Sequence, residues 1–141
     1  MLHRSLTLVA AVALAATVAI AADDKKDPAK ATVDLTGSVD DEKLMKEMPE
    51  SGAIATQKSW ETLAKAWGLK DSPKPDFTKE LLVVATTRGS KLSLSTKLDD
   101  KGDLKVLGLA TRDLRQGFRY AIKSVSRDGV KTVGGKPLTS D

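Results

Sequence analysis

Four cations stand close together late in the chain: Arg112, Arg115, Arg119 and Lys123. A guanidinium donates hydrogen bonds in pairs and in one plane, so clustered arginines suit carboxylates and anionic sugars. Phe118, Tyr120 and Ile122 alternate with Arg119, Ala121 and Lys123. On a strand, that alternation sends the larger apolar set to one side and the two cations, together, to the other. These four residues form the candidate ligand-binding site, and an acidic protein or an anionic polymer is the candidate partner. The competing reading is an ordinary solvated face carrying solubility charges.

Other chemistry is scarce. The only histidine is His3, and there is no cysteine. Past the first residues, the chain therefore has no Ser-His or Cys-His pair and no ordinary zinc or copper ligand set. Asp99, Asp100 and Asp103 surround Gly102, but they lack the alternating oxygen ligands and distal glutamate of a calcium loop; a hairpin turn accounts for them. Asp76 and Glu80 flank the start of a strand and are the only hint of a glycosidase-like acid pair. Ser93 and Ser95 alternate near Lys91 and Lys97 without a Ser-x-x-Lys motif. Gly134-Gly135-Lys136 lacks the spacing of a phosphate loop and reads as a turn. Trp60 and Trp67 could form a ligand platform, but at helical spacing with Leu63 they read as core. The expectation is no catalytic residue, no metal and no cofactor, with a carboxylate-dependent hydrolase as the alternative class.

A length of 141 residues suggests one domain. Residues 1–21 have the parts of a secretory signal peptide: His3 and Arg4, an apolar run from Leu6 to Ile20, and Ala19-Ile20-Ala21 as a cleavage pattern. That run is shorter than the ~20 residues a spanning helix needs, so no transmembrane anchor is expected in the mature chain. Residues 22–30 read as a flexible charged leader and 31–141 as a single domain. The expected location is periplasmic or extracellular. Without disulfides, stability must come from a packed core.

Charge divides unevenly. From Asp23 to Glu80 there are 10 Lys+Arg against 13 Asp+Glu; from Leu81 to Asp141 there are 12 against 6. A nucleic-acid surface would interleave its cations with aromatics, and only Phe118 and Tyr120 lie near the arginines, so no nucleic acid is expected.

The elements that must position these residues can be read from periodicity. Trp60, Leu63, Ala64 and Trp67 fall at i, i+3, i+4 and i+7, one helical face, with Ser59 as predicted N-cap and Gly68 as the terminator. Val33 and Leu35 alternate with polar neighbours in a first strand that Gly37 would bend or bulge. Asp40 to Met48 reads as a short helix capped by Asp40 or Asp41, with Leu44, Met45 and Met48 inward. Asp71 to Pro75 cannot be regular structure, and Phe77 should pin this connection to the core. Leu81 to Thr87 is near-continuously apolar, a central strand covered on both faces. Arg88-Gly89-Ser90 should turn it into a hairpin partner, Lys91 to Leu98. Leu104 and Val106 are out of phase with Leu107 and Leu109, which predicts a bulge near Val106 to Gly108. The second half reads as an antiparallel meander.

The run Ser59-Trp60-Glu61-Thr62-Leu63, followed by Pro75-Asp76-Phe77-Thr78-Lys79-Glu80-Leu81-Leu82-Val83-Val84, resembles the C-terminal domain of the PrcB family. Trp60, Leu63, Asp76, Phe77, Lys79 and Val83 stand in the matching places, and the likeness covers roughly Ile54 to Val125. The chain departs at Thr87-Arg88-Gly89-Ser90-Lys91-Leu92, where the family has a Thr-Gly-Gly-Tyr-like turn. Gly117-Phe118-Arg119-Tyr120 is also similar to a segment of small secreted bacterial proteins of unknown function. The resemblance implies a secreted or periplasmic, protease-associated or regulatory subunit. The expected fold is α+β, an antiparallel sheet of five or six strands with one main amphipathic helix packed on one face. The expected function is an exported, non-enzymatic macromolecule-binding or regulatory domain of the cell envelope, with a purely structural envelope protein as a further alternative.

Overall fold

The computed structural model describes residues 33–138, so the signal peptide and leader expected over 1–30 lie outside the described residues. The chain runs β1 (Asp34–Val39), a 3-10 turn (Glu42–Glu47), β2 (Ala53–Ile54), α1 (Gln57–Ala66), β3 (Glu80–Thr87), β4 (Leu92–Leu98), β5 (Asp103–Ala110), β6 (Phe118–Ser126), β7 (Thr132–Val133) and β8 (Lys136–Pro137). The class is α+β, mostly sheet with one main helix.

The strands form two sheets rather than one sheet of five or six. The first has the order β1-β6-β3-β2 and is antiparallel throughout. The second has the order β4-β5-β7-β8 and contains one parallel pair, β5 with β7, so the expected meander is broken there too. The predicted β3–β4 hairpin fails for a simple reason. β6 takes one edge of β3 along its whole length, and β2 with Gly52 takes the other from Leu82 to Val84, so a strand folding back after Thr87 would be blocked partway, and the turn passes the chain to the second sheet instead.

Three layers result, and two cores lie between them. Side chains on β3 alternate, and both faces are covered as its apolar run requires. Leu82 and Val84 face α1 and join Trp60, Leu63, Trp67, Phe118 and Ile122. Leu81, Val83 and Ala85 face the second sheet and join Leu94, Leu104, Ala121 and Val133. Trp67 and the pair Leu92 and Leu94 therefore lie in different cores, the two leucines packing on the far side of the first sheet.

Both tryptophans are core, and both indole N–H groups are used. Trp60 Nε1 donates to Pro73 O at 2.9 Å and Trp67 Nε1 to Leu44 O at 2.8 Å, tying the proline connection and the 3-10 turn to the helix. Phe77 packs against the same core, as do Leu44, Met45 and Met48. Thr56, not Ser59, caps α1, accepting from Ser59 N–H at 3.3 Å; Gly68 follows the helix with φ 63°, the left-handed position expected of it.

Two predicted irregularities are absent. The β4–β5 register is unbroken from Leu92↔Ala110 to Leu98↔Leu104. The phase change in the sequence arises because Leu107 and Leu109 face outward, 54% and 72% exposed. Gly37 likewise keeps register, opposite Tyr120, whose phenol ring fills the space a Cβ would need.

Candidate functional site

The site is built on a turn and a loop that hold each other. Gly89 packs so closely on the Thr111 carbonyl that a Cβ would collide with it. Arg115 N–H donates to Arg88 O at 2.9 Å and Thr111 N–H to Lys91 O at 3.1 Å. Asp113 accepts from Ser90 N–H at 3.0 Å and pairs with Arg115 Nε at 3.3 Å. The Thr111 hydroxyl and the Ser90 N–H hold its carboxyl well below the usual carboxylate range. The segment between β5 and β6 is therefore fixed against the turn between β3 and β4.

The two sheets above this junction are offset. β4 lies over β6 and β5 over β3, leaving β1 beyond the edge of the second sheet. Asp34, Thr36 and Ser38 of β1 turn to the same side as Lys123, Ala121 and Arg119 and are exposed. A cleft of about 710 Å³ opens at the offset, lined by Thr36 and Gly37 of β1, Arg119 and Tyr120 of β6, Leu92 and Ser93 of β4, and Lys91. A second cleft of about 360 Å³ shares Arg119 with the first and adds Ser38, Asp40, Arg88, Arg115, Gln116 and Phe118.

Arg115 and Arg119 are thus brought together, as the sequence suggested. Arg112 is exposed but lines neither cleft. Lys123 shares a face with Arg119, but that face turns toward the second sheet rather than to open solvent. It is half-buried, and its Nζ donates to Leu94 O at 3.5 Å. The cations that sequence reasoning passes over are Arg88 and Lys91, which stand in a turn. Arg88 is far from Arg115 along the chain, and only the pinning of the loop brings the two to one cleft.

The three arginines differ in occupation. Arg88 pairs with Glu42 at 2.9 Å and Arg115 with Asp113. Arg119 is exposed and has no side-chain hydrogen bond or ion pair among the described residues. Surface pairs are worth about 0–1 kcal/mol, so the two engaged guanidiniums can still turn to an incoming anion.

The acids considered for catalysis or calcium serve the turns. Asp76 accepts from Thr78 N–H and from its hydroxyl, and Glu80 accepts from Asp76 N–H. Asp99 accepts from the N–H groups of Lys101 and Asp103; Asp103 accepts from Thr132 Oγ1 and Gly135 N–H. These bonds lower the carboxyls of Asp76 and Asp103, as Asp113 is lowered. A general acid for glycoside hydrolysis needs the opposite shift.

No family model, curated protein or solved structure matches the chain. Among the described residues no helix is long and apolar enough to cross a membrane.

Proposed function

We propose that this chain is an exported, non-enzymatic binding domain of the cell envelope that holds the acidic groups of a macromolecular partner, in keeping with the regulatory role its PrcB-like residues imply. The observation that carries this reading is Arg119: exposed, unpaired among the described residues, and common to both clefts, with Arg88 and Arg115 beside it in the second. A guanidinium held this way recognises carboxylate or sulfate by paired donors, and its pull fades as salt rises. Asp76 is engaged by the N–H and hydroxyl of Thr78 in its own turn, which weighs against the hydrolase alternative.

The test is elution from heparin, and from a partner recovered from the envelope fraction, across a salt gradient. Arg119→Glu should elute at clearly lower salt than the wild type. Arg112→Glu makes the same charge change outside both clefts and should elute close to wild type. Elution of Arg119→Glu together with Arg112→Glu would remove the site and leave only net charge.

A further inference from the structure

The second sheet stops one strand short of covering the first. Among the described residues its outermost strand, β4, is paired only with β5, and the exposed face of β1 lies beyond the edge this leaves free. The hydrogen bonds fix which backbone groups stand at that edge. Thr111 N–H donates to Lys91 O and Asp99 N–H to Asp103 O, so the odd-numbered residues along β4 turn toward β5. Antiparallel pairing alternates, so the N–H and C=O of Leu92, Leu94, Thr96 and Leu98 point out of the sheet. The Lys123 Nζ that reaches Leu94 O at 3.5 Å is at the long limit of a hydrogen bond, so an incoming N–H could take that oxygen.

We infer that an extended acidic segment of the partner binds as an added strand beside the free edge of β4, lying across the uncovered face of β1. This rests on the acid-binding reading above and gives it a mode. Main-chain pairing supplies affinity in such additions, and alternate side chains supply selectivity. The side chains directed at the first sheet meet Thr36 and Arg119, with Lys91 lining the same cleft, and Ser38 in the adjoining one. Lys123, displaced from Leu94 O, is left facing them as well. An acidic segment complements these cations; a basic one sets like charges against them. Asp34 disfavours an acid at one end of β1 and Asp40, which lines the second cleft, disfavours one beyond Ser38 at the other, so the acidic positions belong between them, opposite Arg119.

The probe is a labelled eight-residue peptide alternating Glu and Thr, titrated by fluorescence anisotropy against the protein at low salt. Two further peptides carry N-methyl groups on alternate residues, one in each phase. A strand has only one set of amides facing its neighbour. One phase should therefore weaken binding about tenfold or more, since two or three main-chain bonds are lost, while the other phase binds nearly as the parent. Thr96→Pro removes one edge donor without touching the β4–β5 ladder, a placement proline tolerates on edge strands. It should weaken the parent peptide while keeping the wild-type thermal midpoint.

Equal binding of both methylated phases would mean charge alone holds the peptide; strand addition would then fall while acid binding stood. Retention on heparin with no peptide binding would likewise overturn strand addition alone. A concentration-dependent dimer abolished by Thr96→Pro would assign the edge to a second copy and overturn the inference. Loss of both heparin and peptide binding would remove both proposals.

Discussion

Trp67 packs edge-on against Phe118, with 5.2 Å between ring centroids, and lies tilted against Tyr120 at 5.3 Å. Its indole N–H also holds Leu44 O, so one side chain joins the helix, the first sheet and the 3-10 turn. Trp67→Ala should cost about 3–5 kcal/mol, the range for emptying a buried aromatic site. Trp67→Phe keeps most of the ring contact and leaves the Leu44 carbonyl without this donor, a smaller loss of about 1–3 kcal/mol. Urea unfolding of both variants checks this; equal losses would mean that the ring contacts contribute little. At this scale the sequence is informative where spacing alone decides. The i, i+3, i+4, i+7 pattern identifies both tryptophans as core. It cannot show their N–H partners, because Pro73 and Leu44 offer backbone carbonyls that no residue type announces. Spacing along the chain likewise finds Arg115 and Arg119 but misses Arg88.

The loop from Thr111 to Gly117 and the turn from Arg88 to Lys91 act as one unit, joined by the side chains of Asp113, on Ser90 N–H, and Thr111, on Ser90 and Lys91. The hydrogen bonds of Asp113 lower its folded pKa below the ordinary 3.8. A carboxyl lowered on folding contributes stability that is fully present above its unfolded value and is lost only as pH falls through the folded one. The amide signals of Ser90 and Arg115 should therefore hold steady from pH 7 down to about 4, where free aspartates begin to protonate, and move only in stronger acid. Asp113→Asn should remove that acid-induced change and leave the loop looser at every pH. Movement of the wild-type signals between pH 5 and 4 would mean the carboxyl is not held in this way. Helix and strands are legible as elements because apolar periods of 3.6 and 2 are local. The destination of the chain after Gly89 is not. A tight turn specifies a reversal, and whether the next strand pairs with its predecessor depends on whether that predecessor has an edge left. The expected bulge in β5 has a similar origin: outward leucines mimic a change of face.

At the scale of the whole molecule, the first sheet separates two cores that belong to different layers. The unbroken apolar run from Leu81 to Ala85 already requires cover on both faces of β3, and that requirement is what a second sheet meets. The sequence does not reveal how many strands form it, because β7 and β8 have two residues each and leave no alternation to read. The layering makes a thermodynamic claim. Ile122 lies on the helix side of the first sheet, and Val133 lies in the second sheet. Ile122→Val should cost about 0.5–1.5 kcal/mol, as such truncations do in cores. Val133→Ala removes two methylene equivalents and should cost about 1.5–2 kcal/mol at ~0.8 each. The two side chains belong to different clusters, so their effects should add to within about 0.5 kcal/mol. Urea denaturation of the two single variants and the double variant closes the cycle, provided the slope of the transition is common to all. A coupling above about 1 kcal/mol would show that the sheet transmits repacking from one layer to the other, and the two clusters would have to be treated as a single core.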